Sequence, residues 1–342
     1  MIDRRALLSL GIAGAGAALT RSAFAAPASL NDQLSGWLDG LHDPVLIREG
    51  DTWHVFGSGG WTGKPGLSWR TSTDLHSWRD NSSPFEAVPA WAKAAIPGAE
   101  AIWAPDIHYI DGVFRLYYSV STAGSMRSVT GFATSPTLDR ADPRYGWTDH
   151  GLVIESFAGG TYNVIDANLV VDLRGDHWLA FGSYWSGIKL IALDRTTGKP
   201  RPGAEVHAIA YRPPAVPGGD NPVEGAFIFP RDGWYYLFVS FDYCCRKEKS
   251  NYYVAVGRSR SITGPYLARD GGAMMQGHGT PVVAERPWGS TNWRGPGHCG
   301  LYRHGKRDLI VYHAYDVAHG SRPTLRLAEL TWDAGGWPVA LT

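Results

Sequence analysis

The chain has 342 residues, of which 44% are apolar and only 19% charged, so enough apolar surface is available for a large core and global disorder is excluded. Its 32 Lys and Arg balance 32 Asp and Glu, and a formal charge of zero argues against nucleic acid or an anionic membrane as a partner. With 42 Gly, 15 Trp and 16 Tyr, the composition suits short strands, tight turns and a surface able to stack on sugars.

Residues 1–25 read as an export signal. Arg4 and Arg5 precede an uncharged run over 6–20, and Ala23-Phe-Ala25 supplies a small-x-small cleavage site. The run falls short of the roughly 20 residues that span a bilayer, so no membrane association is expected once the signal is removed. The arginine pair resembles a twin-arginine signal, the alternative being an ordinary secretory signal whose basic region holds two arginines. Both lead out of the cytoplasm, to a secreted or periplasmic protein. Residues 26–342 are expected to form one monomeric domain.

A short turn followed by an aromatic, alternating strand recurs five times. The copies run from Gly50 to Ser58, Asp111 to Ser119, Gly175 to Ser183, Asp232 to Ser240 and Gly305 to His313, with starts 61, 64, 57 and 73 residues apart. A period near 60 is too long for a helical solenoid unit and suits a four-stranded propeller blade with generous loops. The fold expected is therefore all-β, a five-bladed β-propeller, with a β-sandwich of five hairpins as the alternative. Leu325 to Trp332 reads as a final strand that could close the ring against the first blade. Outside the strands, 90–95 is at most a helical turn or two.

Upstream of each turn lies a strand with one polar residue among apolar ones. These residues are Asp43, Asp106, Asp166, Glu224 and His298. Innermost strands line a propeller's channel, so all five are expected to converge at its axis. A structural polar plug is one reading of such a set. Glycoside hydrolysis is the other, because it needs one carboxylate ionised to activate water and one protonated for the leaving group, and nearby like charge helps hold that proton. Trp103 and Trp185, beside the acids, could stack on sugar faces.

Three cysteines make a poor disulfide framework. Cys244 and Cys245 are adjacent, and a bond between neighbours is expected to be strained, since bridged Cα atoms prefer about 5.5 Å. Cys299 could pair with either. The absence of CxxC spacing argues against zinc.

The blade-start segments together resemble the five-bladed propeller glycosidases of glycoside hydrolase family 43, most closely the endo-α-1,5-L-arabinanases. The resembling stretches include His42-Asp-Pro44, Trp103-Ala-Pro-Asp-Ile107, Ile165-Asp-Ala-Asn-Leu169, Phe181-Gly-Ser-Tyr-Trp-Ser-Gly-Ile188, Val223-Glu-Gly-Ala-Phe227, Phe241-Asp-Tyr-Cys-Cys-Arg246 and Gly295-Pro-Gly-His298. The resemblance implies that Asp43 is the general base, that Glu224 is the general acid and that Asp166 orients the acid and tunes its pKa. It implies that His298 helps hold a calcium ion, mostly water-coordinated, in the central channel. Trp103, Asp106, Asn168 and Trp185 are expected to bind substrate. The expected substrate is arabinan or an arabino-oligosaccharide, cut with inversion. An exo-acting arabinofuranosidase or xylosidase of the same fold is the nearest alternative, and a catalytically silent glycan-binding propeller the more distant one. His278 has no role in this reading.

Overall fold

Asp111-Gly112 and Asp232-Gly233 each place two successive residues at positive φ (54° and 82°, 49° and 74°), the geometry that closes a two-residue hairpin with the right-handed twist of its strands. Such hairpins set the repeat. In the computed structural model, which describes residues 29–285 and 291–342, the chain folds as five successive antiparallel sheets. The export signal expected over 1–25 lies outside the described residues.

Blade one comprises Val45–Glu49, Thr52–Gly57, Ser68–Ser72 and Ser77–Asn81, and blade two Trp103–Ile110, Val113–Ser121, Ser128–Ser135 and Thr148–Ser156. Blade three is Asn168–Val171, His177–Phe181, Ile188–Leu193 and Val206–Ala210, and blade four Val223–Arg231, Trp234–Phe241, Tyr253–Ser259 and Thr280–Val283. Blade five is Trp293–His304, Arg307–Asp316, Arg322–Trp332 and Pro338–Leu341. Each first strand touches the first strand of the next blade, and the fifth returns to the first. The molecule is a five-bladed β-propeller with its first strands innermost.

Packing explains the aromatic repeats. The second strands, such as Val113–Ser121 and Trp234–Phe241, are buried almost throughout because each blade is covered on both faces by its neighbours. Apolar clusters lie between blades: Val170, Ile188 and Leu190 of the third pack with Val223, Ile228 and Leu237 of the fourth. The short helix Ala90–Ala95 sits in the connection from blade one to blade two, as its sequence suggested.

Closure differs from expectation. Arg322–Trp332 does not join the first blade; it pairs on both edges within blade five, with Arg307–Asp316 and Pro338–Leu341. The residues ahead of blade one bridge the gap instead. Asn31 bonds the Tyr312 hydroxyl and the Leu327 N–H, Leu38 O accepts from Leu325 N, and Asp39 pairs with Thr324. Ser35–Gly36 then runs parallel to Ser77–Asn81 on the outside of blade one. The segment ahead of blade one thereby stitches the first and fifth blades together without exchanging a strand.

Candidate active site

Every blade carries a residue in the left-handed backbone region where its inner strand enters the channel: Asp43 (φ 51°), Ala104 (39°), Asp166 (60°), Gly225 (62°) and His298 (46°). Such a residue kinks the chain as it enters the channel, and the strand pairing of blades two, four and five shifts register at this point. Non-glycine residues tolerate this conformation only where surrounding bonds hold them. Here those bonds come, for four of the five, from a residue near the C-terminal end of the preceding blade's second strand.

That residue is Ser58, Ser119, Ser183, Ser240 or His313, and it reaches the next blade around the ring. Ala104 N donates to Ser58 Oγ (2.7 Å), Asp166 N to Ser119 Oγ (3.1 Å), His298 N to Ser240 Oγ (2.8 Å) and Asp43 N to His313 Nδ1 (3.2 Å). The fourth position departs from the pattern. Gly225 N donates to Asp166 Oδ2 (3.1 Å), and the Ser183 hydroxyl is left to donate to Glu224 Oε2 (2.6 Å). Glycine at 225 avoids a Cβ that would lie 3.2 Å from the His298 ring, at a φ that side chains disfavour.

This ring corrects the expected set of five. Asp43, Asp166 and His298 occupy ring positions, and Glu224 precedes its ring position by one residue. Asp106 follows Ala104 by two and is carried past the channel mouth. There its Oδ2 accepts from Leu169 N (2.6 Å), Asn168 Nδ2 (3.3 Å) and His108 Nε2 (2.9 Å), while Asn168 Oδ1 accepts from Ile228 N (2.8 Å). Asp106 and Asn168 thus tie blades two, three and four together below the site and do not line the cleft. Trp103 and Trp185 do line it.

The cleft, of about 1280 Å³, brings Asp43, Asp166, Glu224 and His298 together at one end of the channel. Asp43 Oδ1 is flanked by His42 Nδ1 (2.7 Å) and His298 Nδ1 (3.0 Å), and its Oδ2 accepts from Ser58 Oγ (2.5 Å). His298 Nδ1 is also 4.0 Å from Asp166 Oδ2. Several contributors were missed from sequence. His42 is held between Trp61 and His313, with ring centroids 4.8 and 3.9 Å away, and its Nε2 meets the Tyr315 hydroxyl at 2.9 Å. Trp61, Tyr184, Tyr243 and Arg246 add to the walls. His278 instead pairs with Asp270 at 3.0 Å on the surface.

The carboxyl groups sit in opposite electrostatic settings. Burial pushes Asp43 upward, but His42 and His298 outweigh it and hold its carboxyl well below the usual range. Burial raises Glu224, against the Ser183 hydroxyl and with help from the Asp43 charge. Asp166 is pushed up to about 8, by burial first and then by Glu224 and Asp43, against the pull of His298. His298 is raised to about 9, because Asp43 and Asp166 outweigh its own burial. One carboxylate is thus kept charged and another kept protonated on a single cleft. Paired acids with separated pKa values are the requirement for acid–base hydrolysis of a glycoside.

The model of the glycosyl hydrolases family 43 matches residues 39–338, which takes in all five blades. The chain belongs to glycoside hydrolase family 43. Within that family it is 40% identical over 299 residues to the extracellular endo-α-(1→5)-L-arabinanase 1 of Bacillus subtilis, covering 87% of each chain. It is 39% identical over 305 residues to the extracellular exo-α-(1→5)-L-arabinofuranosidase of Cellvibrio japonicus, covering 87% of this chain and 85% of that one. The solved structure of the Cellvibrio cellulosa α-L-arabinanase complexed with arabinohexaose superposes with a TM-score of 0.81 at 38% identity, covering 88% of this chain and 95% of that one.

The cysteines of this family 43 chain also depart from expectation. Cys244 and Cys245 are bonded to each other across adjacent positions, and Cys299 is a free thiol buried in the core between blades. For calcium, the donor set is thin. Among the described residues, the groups close enough to share an ion are His42 with Asp43 and His313, and His42 with the two bonded cysteines. Neither includes His298. Calcium prefers six to eight oxygen ligands, so the residue suits only an ion that keeps water for most of its shell.

Proposed function

We propose that this family 43 hydrolase cleaves α-1,5-linked arabinofuranosyl chains of arabinan by single displacement with inversion. The opposed settings of Asp43 and Glu224 carry the reading. Asp43, ionised, takes a proton from a water as its oxygen attacks the anomeric carbon. Glu224, protonated, gives its proton to the departing sugar oxygen. Asp166 fixes Gly225 through the 3.1 Å bond to its N–H and so orients the acid next to it, while its charge state tunes that acid's pKa. His298 would hold a hydrated calcium ion through Nε2, since Nδ1 faces Asp43, and such an ion would supply positive charge beside the acids.

Endo action is the reading we adopt, supported by the endo-acting Bacillus subtilis relative at 40% identity, while the Phe181 to Ile188 and Phe241 to Arg246 segments favour an arabinanase over a xylosidase. Exo action is the second reading, favoured by the relative of that activity at nearly the same identity. Trp103 and Trp185 supply stacking faces for a chain of sugars in either case. Export is supported by the reading of residues 1–25 and by two relatives named as extracellular. Among the described residues no helix is long and apolar enough to cross a membrane. The deciding experiment follows hydrolysis of linear debranched arabinan by proton NMR and product sizing. Initial release of the inverted anomer as a ladder of oligomers is expected. A retained anomer overturns the mechanism, and single sugars from the outset overturn endo action.

A further inference from the structure

The loop that follows Trp234–Phe241 closes on itself beside the cleft. Asn251 N and Tyr252 N both donate to Tyr243 O (3.0 and 3.1 Å), Asn251 Oδ1 accepts from Tyr243 N (3.1 Å), and Ser250 Oγ accepts from Arg246 N (2.9 Å). Its base is pinned by the Arg212–Asp242 ion pair at 2.9 Å, and the Arg246 guanidinium covers the Tyr243 ring at 3.5 Å. At the tip sits the Cys244–Cys245 disulfide, on the wall of the cleft, with Cys245 at φ 63°.

From that tip a chain of hydrogen bonds leads to Asp43. Cys245 N donates to the Tyr315 hydroxyl oxygen (3.0 Å), which meets His42 Nε2 (2.9 Å), and His42 Nδ1 meets Asp43 Oδ1 (2.7 Å). The direction follows from chemistry. An ionised Asp43 has no proton to give, so His42 Nδ1 carries the hydrogen between them, and His42 Nε2 and the Tyr315 hydroxyl share the next one. The Tyr315 oxygen is left to accept from Cys245 N. Cys245 Sγ stands 3.6 Å from both His42 Nε2 and Tyr315 Oη. A disulfide sulfur has no hydrogen to donate, so it cannot compete with Tyr315 for Nε2. A thiol could.

We propose that the Cys244–Cys245 disulfide is a positioning element for the water-activating carboxylate, acting through the Cys245 N–H, the Tyr315 hydroxyl and the His42 ring. The inference rests on Asp43 being the base. The bond holds a non-glycine residue in the left-handed conformation that aims its N–H at Tyr315, and it keeps a donor away from His42. Reduction adds two electrons and two protons, frees two thiols and undoes both functions. The disulfide is thereby a specific support of turnover, and its geometry explains why adjacent cysteines occupy the wall of a sugar-binding cleft.

The test treats the folded protein with tris(2-carboxyethyl)phosphine, which becomes its oxide with oxygen from water as the two S–H groups form. Thiols are counted, and kcat and KM are measured on linear arabinan before reduction, after it and after reoxidation. A loss in kcat of about tenfold or more with little change in KM is expected, since small misplacements of a catalytic group are that costly, and reoxidation should restore it. The Cys244→Ser, Cys245→Ser double variant should show the low kcat and no response to reductant. Tyr315→Phe keeps the disulfide but breaks the chain of bonds, and it should reproduce the kcat loss. An unchanged kcat with both thiols free, a loss confined to KM, or a fully active Tyr315→Phe overturns the proposal. Asp43→Asn is run alongside: if that variant turns over normally, the assignment of the base has failed instead.

Discussion

Ser183 donates its hydroxyl to Glu224 Oε2 at 2.6 Å, the one place in the ring where the residue near the end of a second strand meets the side chain of a candidate catalytic residue of the next blade without also receiving a ring N–H. A hydrogen bond to a carboxylate favours the charged form, so this contact works against the burial that raises Glu224. Ser183→Ala should therefore push the Glu224 pKa further up. The alkaline limb of kcat/KM reports the group that must be protonated, so it should move to higher pH in this variant while the acid limb, set by Asp43, stays put. Parallel pH profiles of the two proteins check this. An alkaline limb that moves down would mean that Glu224 is not the group being titrated.

Asp166 links activity to stability. Its folded pKa of about 8 lies above its ordinary 3.8, so the folded state holds this proton more tightly than the unfolded chain. Its contribution to stability is complete below about pH 3.8 and is lost as pH rises through about 8. His298 runs the same way, complete below 6.5 and lost through about 9. The wild-type melting temperature should thus fall between pH 6 and 9.5. In Asp166→Asn the titrating carboxyl is gone and an amide oxygen can still accept from Gly225 N, so the fall should be shallower. Turnover should drop alongside, because the tuning of Glu224 is lost. Calorimetry across pH tests the claim, and equal slopes for both proteins would refute it.

His298 is argued to hold a hydrated cation. Removing that charge changes the field on three acids at once, because a bound cation is often the largest local charge. Chelation followed by gel filtration should lower kcat and shift the pH profile, and added calcium should restore both. His298→Ala should behave like the chelated protein and ignore added calcium. Full activity with an unchanged profile after chelation would leave His298 as the partner of Asp43 alone.

The blades were legible because their signals are local: a Gly or Asp-Gly turn and an alternating aromatic strand are written within nine residues. The channel register was not. Counting back from each turn treated Asp106 as the equivalent of Asp43, whereas the equivalent is Ala104. Counting from the other end of the strand would have found it, since Ser58, Ser119, Ser240 and His313 each follow their ring residue by 15 positions and Ser183 follows Asp166 by 17. The reason is physical: that terminal residue bonds the next blade, while the turn touches nothing in the channel. The Cys244–Cys245 bond reads from sequence only as a strained possibility, for a related reason. Ordinary disulfide spacing argues against neighbours, and the contacts with His42 and Tyr315 that give it meaning come from residues 203 and 70 positions away.

The sharpest test separates the acid from the base. If Glu224 donates the proton, its importance scales with how poor the leaving group is, and general acid help is typically worth about 10²–10⁴-fold. A sugar alkoxide needs that proton strongly, and a dinitrophenolate scarcely needs it. Glu224→Gln should cripple hydrolysis of linear arabinan by about that factor yet largely spare a dinitrophenyl arabino-oligoside filling the same cleft. Asp43→Asn should cripple both, because water must be activated whatever leaves. The part of the alkaline limb that Glu224 sets should vanish with Glu224→Gln on the activated substrate. Four rates give one decisive ratio. Equal losses for Glu224→Gln on the two substrates would remove Glu224 from the role of acid. Asp166, pushed up to about 8 and bonded to Gly225 N, would then be the next protonated carboxyl to test in its place.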